Sequence, residues 1–156
     1  MNEQLIKNYN EVVKRGDVVW FLGDFAFMNI TQASSILRRL NGQKNLILGN
    51  HDKNIRNKSA SFMGKGLLHS IHDYREIYVE KQSIVLSHYG MRVWNKHHHG
   101  AWMLHGHSHG SLPPYGRSVD VGVDSTYITD EYRPVSFEEV KRFMQTRESV
   151  NVDHHN

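Results

Sequence analysis

Asn45-Leu46-Ile47-Leu48-Gly49-Asn50-His51-Asp52 is a short apolar run that stops at a glycine and gives way to three polar side chains. A run this short and this apolar predicts a strand buried on both faces. The layout recurs. Val18-Val19-Trp20-Phe21-Leu22 ends at Gly23-Asp24, Ser83 to Ser87 ends at His88, and Ala101 to His105 ends at Gly106-His107-Ser108-His109-Gly110. In open α/β sheets, ligands sit beyond the carboxyl ends of the strands. Four strands that each end in Asp, Asn or His therefore predict an α/β fold whose loops converge on one site.

The segments between the strands read as helices and turns. Leu5, Ile6, Tyr9, Val12 and Val13 recur at helical spacing, with Gly16 as the expected C-terminal cap. Thr31 is the expected N-cap of a helix carrying Ile36, Leu37 and Leu40, which Asn41-Gly42 stops. Residues 54–68 predict a helix broken by Gly64 and Gly66. Asp73 to Val79 and Ser83 to Ser87 predict two strands joined by a turn at residues 80–82, and Ser118 to Val123 a further strand. Ser136-Phe137-Glu138-Glu139 is a capping box, with Val135 and Val140 as its hydrophobic staple, so a helix is expected from there to about Gln145. Residues 1–148 read as one domain and residues 149–156 as a polar tail.

Composition narrows the function classes. The chain has 156 residues, enough for one substantial core. It contains no run of about 18 apolar residues, so no membrane span is expected. The N-terminus lacks a signal-peptide layout, and the expected location is cytoplasmic. Cysteine is absent, so any metal must be held by nitrogen and oxygen donors. A net charge of +3, without a basic stripe interleaved with aromatics, argues against a nucleic-acid partner.

The chemistry at the strand ends is specific. Glycine lets the backbone turn sharply, so the Asp24 carboxylate can face a ligand and can bridge two cations; a turn or capping Asp is the plainer alternative. Asn50 offers a neutral oxygen ligand. His51 can give a proton to a leaving group, and Asp52 can support its imidazole. His88 taken alone reads as a solvated or capping residue. His107 and His109 are two apart, so in an extended segment they project to the same side and can serve one cation or two. His97-His98-His99 and His154-His155 read as solvated, and Tyr89, Trp94 and Trp102 as packing.

The ordered set Gly23-Asp24, Gly49-Asn50-His51-Asp52, His88 and Gly106-His107-Ser108-His109 resembles the calcineurin-like metallophosphoesterase superfamily. Residues 86–94 and 104–111 are similar to its small bacterial and phage members, and the likeness runs from about Tyr9 to Phe143. The resemblance implies a β-sandwich flanked by helices, with two metal ions (Mn, Fe or Zn) at the carboxyl ends of the strands. By match, Asp24 bridges both metals, Asn50, His88 and His107 complete the second site, and His109 belongs to the first. His51 is implied as the general acid or as a stabiliser of phosphate charge, supported by Asp52. Two cations about 3.5–4 Å apart neutralise a phosphoester and acidify the attacking water.

The departure from the family pattern matters as much. Family members open with a strand ending in Asp-x-His, and no residue before Gly23 forms that motif here. The first metal site is left with Asp24 and His109, and one ion is a possible complement. The resemblance thus implies an N-terminally incomplete fold, with apolar surface and unpaired backbone beside the site. A fragment or late-start form, a natural short form, or a second copy covering the gap as a homo-oligomer would each fit. The expected function is metal-dependent hydrolysis of phosphomonoesters or phosphodiesters, on a phosphorylated small molecule or nucleotide. The alternative is a catalytically impaired domain or subunit that binds metal or a phosphorylated ligand.

Overall fold

Apolar residues in short runs pair into two sheets. The structure, a computed structural model, describes residues 3–25 and 29–150. The first sheet is parallel, in the order β1 (Val18–Phe21), β2 (Gln43–Ile47), β3 (Ser70–His72). The second is mixed, in the order β4 (Arg75–Val79), β5 (Gln82–Leu86), β6 (Trp102–His105), β7 (Ser118–Asp120). Its β4–β5 pair is antiparallel and the other two pairs are parallel. The β4–β5 turn places Glu80 at φ 45° and Lys81 at φ 68°, the left-handed pair that a two-residue hairpin needs to match strand twist.

The side-chain alternation of the strands then sets the layers. In β2, Leu46 points into a core with Ala33, Leu37, Ile55 and Phe62 from the helices, whereas Ile47 points the other way, to Ile84, Trp102 and Leu104. The first sheet is therefore covered by helices on one face and by the second sheet on the other. The second sheet's outer face buries Val85 and Met103 against Trp94 and Ala101. Helix α1 (Glu3–Val12) packs Ile6 and Tyr9 towards Val19 and Phe21 of β1. The architecture is α/β with mixed sheets flanked by helices. No described helix is long and apolar enough to cross a membrane.

Several boundaries differ from expectation. Helix α2 (Ile30–Arg39) is capped by Asn29, not Thr31: Asn29 accepts from the backbone of Gln32, whose side chain bonds back to the Asn29 N–H. That is a capping box read two residues too late. The segment expected as one helix forms two, α3 (Lys53–Asn57) and α4 (Ser59–Gly64), divided at Lys58. Helix α1 stops before Gly16, whose φ is not positive, so Gly16 is no left-handed cap. Strand β3 carries no strong apolar signal and is held by pairing with β2. The tail lies, from residue 151 on, outside the described residues.

Helix α5 (Phe137–Met144) confirms the capping box, with Ser136 and Glu139 each serving the other's backbone. Its Val140 and Met144 enter the core between the sheets. Glu139 also takes two hydrogen bonds from Arg133, at 2.7 and 3.1 Å. The Arg133 bond, ahead of the capping contacts, holds the Glu139 carboxyl down at about 2, against an ordinary 4.5. A depressed carboxyl stabilises the fold above its ordinary value and loses that contribution as pH falls through its folded one. Glu139→Gln is therefore expected to lower unfolding free energy near neutral pH by roughly 1–3 kcal/mol. In urea titrations the gap from the parent should close between pH 4.5 and 2. A gap independent of pH would assign Glu139 a purely steric role.

Candidate metal centre

The site begins where β1 and β2 end side by side. Gly23 has φ +99° and Asp24 φ +57°, a double left-handed turn that reverses the chain at once. Neither Gly23 nor Gly49 has room for a side chain. A Cβ on Gly23 would lie 2.3 Å from His88 Nδ1, and one on Gly49 would lie 2.4 Å from Asp24 Oδ1. The two loops exchange carboxylates. Asp52 Oδ2 accepts from the backbone N–H of Asp24 (2.7 Å) and of Gly49 (2.8 Å), while Asp24 Oδ1 accepts from the N–H of His51 (2.8 Å). Asp52 is 1% exposed, so this buried carboxylate fastens Asp24 and Asn50 to one frame. Asp24 Oδ2 is left to face the site.

The second sheet delivers His88 and His107 from the ends of β5 and β6. His88 is buried, and its Nδ1 lies 2.8 Å from the carbonyl oxygen of Leu22. A carbonyl can only accept, so Nδ1 carries the hydrogen and the neutral ring's Nε2 keeps a lone pair. That Nε2 lies 2.9 Å from Asn50 Oδ1, 3.1 Å from His107 Nδ1 and 3.2 Å from Asp24 Oδ2. Asn50 Oδ1, Asp24 Oδ2 and this Nε2 are acceptors, and His107 Nδ1 joins them in the tautomer that carries its hydrogen on Nε2. In that tautomer the junction is repulsive unless a cation enters it or His88 becomes an imidazolium. Donor–metal lengths of about 2.0–2.2 Å place neighbouring donors roughly 3–3.5 Å apart, close to these separations. The ligand atoms of Asp24, His88 and His107 all lie within 4.8 Å of one another. The chemistry and spacing of these donors fit a divalent cation.

His109 is placed differently. His107 has φ 66° and His109 φ 48°, so the segment is a tight turn and not the extended one expected. The two rings therefore do not project together. His109 Nδ1 bonds Asp124 Oδ2 at 2.5 Å, and that bond, before any other charge, raises the imidazole's pKa. His109 and Asp124 still line the same cavity as Asp24 and His107. Asp120, 1% exposed, ties the turn in place by accepting from Gly110 N (2.9 Å) and Gly122 N (2.8 Å). His51 is exposed, and its backbone N–H is held by Asp24.

The structure therefore brings together Asp24, Asn50, His88 and His107, and sets His109 apart from that cluster. Three contributors went unread. Asp124 follows Val121-Gly122-Val123, an apolar stretch ending in a carboxylate, which is the same signal that marked the other four loops. Tyr89, taken as packing, is exposed and turns its ring edge-on to His88 (4.9 Å) and His107 (4.7 Å). The Leu22 carbonyl that orients His88 leaves no trace in side-chain patterns. His97, taken as solvated, is buried and stacks on Trp94 with ring centroids 4.1 Å apart.

No family model matches the chain. Among solved structures it is similar to a protein of unknown function, AQ665 from Aquifex aeolicus, with a TM-score of 0.63 and 23% identity. That likeness covers 88% of this chain and 82% of the other, and it shows a shared fold. In sequence the chain is 30% identical to the uncharacterized protein MJ1445 of Methanocaldococcus jannaschii, over 93% of this chain and 76% of that protein. The chain belongs to the same protein family as MJ1445.

Proposed function

We propose that the chain is a metal-dependent phosphoesterase of the calcineurin-like kind, acting on phosphomonoesters or phosphodiesters. One observation carries the reading: four loops deliver Asp24 Oδ2, Asn50 Oδ1, His88 Nε2 and His107 Nδ1 to one junction, where all four atoms can turn lone pairs to a cation. Those four residues would hold the cation. Such an ion, when bound, supplies positive charge against the phosphate and lowers the pKa of water. Nitrogen and carboxylate donors suit Mn, Fe or Zn better than calcium.

The other residues act around that centre. Asp52 and the two glycines keep the donors preorganised, so little reorganisation accompanies binding. His51 is exposed and follows Asn50 directly in the chain, and its imidazole would meet a leaving-group oxygen. His109, bound to Asp124 and drawn towards its protonated form, adds positive charge beside the cavity. Asp24, His107 and His109 backbones all occupy the left-handed region, a conformational cost that functional sites commonly bear. A second reading, a metal- or phosphate-binding domain without turnover, is favoured by the pairing of His109 with Asp124, which leaves one compact donor cluster in place of two.

Two measurements test these readings. Calorimetric titration of chelator-treated protein with Mn²⁺ should show one tight equivalent. His107→Ala, at a partly exposed ring, should weaken it at least about tenfold, the loss that removal of one direct donor implies, with the far-UV spectrum unchanged. Two equally tight ions, or affinity untouched by His107→Ala, would contradict this assignment.

His51→Ala should leave metal content unchanged and lower turnover by about 10²–10⁴-fold on alkyl phosphoesters. The loss should shrink for aryl phosphoesters, whose leaving group needs no proton. Equal losses on both, or loss of the metal, would remove the acid role. Absence of turnover on any phosphoester, with metal bound, would favour the second reading.

A further inference from the structure

Tyr89 follows the donor His88 directly in the chain and is 52% exposed. Its ring centroid lies 4.9 Å from that of His88 and 4.7 Å from that of His107, at interplanar angles of 69° and 60°. Both contacts are steeply inclined and neither is a parallel stack, so they leave ring surface open to solvent. A single exposed tyrosine is ordinary on a protein surface. This one is set apart because it touches both histidines of the donor cluster.

The ring also has an exposed apolar neighbour. A Cβ on Gly90 would lie 2.8 Å from Leu112 Cδ2, so Leu112 rests against the backbone beside Tyr89. Leu112 is itself 44% exposed. The two loops that carry these residues meet a second time. The Arg92 guanidinium carbon lies 5.8 Å from the centroid of the Tyr115 ring, within cation–π range. Tyr89 and Leu112 therefore form a shelf that is held by the donor histidines and by a further contact between its own loops.

We propose that Tyr89 and Leu112 are the platform for the base of a nucleoside phosphate whose phosphate meets the donor cluster. The proposal rests on the phosphoesterase reading for the position of the phosphate, and it adds the substrate class. A phosphate oxygen on a cation at the Asp24, Asn50, His88 and His107 junction is one imidazole ring away from Tyr89. A sugar spans that step and delivers a base to the tyrosine. An open aromatic face takes a nucleobase by stacking, and stacking tolerates the identity of the base. Leu112 widens the apolar surface beside the ring. A shelf of two residues suits a rigid planar base better than a flexible acyl chain, which loses more conformational freedom when it is laid flat.

Calorimetric titration of Mn²⁺-loaded protein with phosphonates tests the platform without requiring turnover, because a P–C bond resists hydrolysis. The probes are the methylenephosphonate analogue of adenosine monophosphate and its counterpart with hydrogen in place of the base. The adenosine compound should bind about tenfold tighter, the gain that one stacked base gives. Tyr89→Leu should erase most of that preference, and Tyr89→Phe should keep it, since stacking needs the ring and not the hydroxyl. Mn²⁺ affinity should match the parent in both variants. Loss of Mn²⁺ binding in Tyr89→Leu makes the ring a support for the histidines and overturns the platform. Equal affinity for the two phosphonates, or a preference that survives Tyr89→Leu, overturns the proposal and leaves the phosphoesterase reading standing. Benzylphosphonate bound as tightly as the adenosine compound makes a simple aryl ester the ligand and overturns the nucleoside assignment. Failure of both phosphonates to bind with Mn²⁺ in place removes the phosphate from the centre, and the two readings fall together.

Discussion

Everything at the candidate centre depends on the buried exchange of carboxylates between the ends of β1 and β2. Asp52 holds the backbone of Asp24, and Asp24 in turn holds the backbone of His51. Each carboxylate satisfies N–H groups that a tight turn would otherwise leave unpaired in a dry setting, where such groups cost about 1–3 kcal/mol each. The exchange also fixes distance. It brings Gly49 so close to Asp24, and Gly23 so close to His88, that neither position admits a Cβ. Ligands from distant parts of the sequence can meet within hydrogen-bonding range only because two glycines remove the atoms that would keep them apart.

That constraint explains which parts of the molecule can be read from the chain alone. Strands β5 and β6 and the end of β2 are apolar because they are sandwiched, and these, like β1, were visible as short runs with a glycine or polar stop. The capping box at Ser136 was visible for the same kind of reason: its hydrogen bonds are local, so its signal is local. Strand β3 was not visible. Its residues are only partly buried, and pairing with β2 imposes its conformation. Thr31 was taken for Asn29 because both residue types cap helices, and only the Gln32 side chain discriminates between them.

The site divides along the same line. Asp24, Asn50, His88 and His107 were legible because strand-end position predicts where a side chain goes, whatever its distant neighbours. His109 lines the same cavity but lies against Asp124, because its direction is set by backbone torsion, not by spacing. A left-handed residue two positions after another left-handed residue breaks the period-two rule that applies to extended chain. Asp124 had the right address, one residue beyond an apolar stretch, but its part became evident only through the His109 contact. His97 shows the opposite error. Three consecutive histidines look solvated, yet the first is folded under Trp94 by left-handed turns at Lys96 and Gly100.

The apolar cavity beside β1 and the donor cluster are linked through that strand. The strand is braced by β2 on one side, and its carboxyl end supplies both Asp24 and the Leu22 carbonyl that sets the His88 tautomer. A shift of β1 along its own axis would move that carbonyl and the Asp24 carboxylate together. His88 would lose the partner that keeps hydrogen off its inward nitrogen, and the cluster would lose an oxygen donor in the same motion. Strand pairing and ligand preorganisation are therefore one mechanical problem in this fold. The apolar surroundings of β1 bear on the chemistry of the centre even though none of their aliphatic side chains can touch a cation.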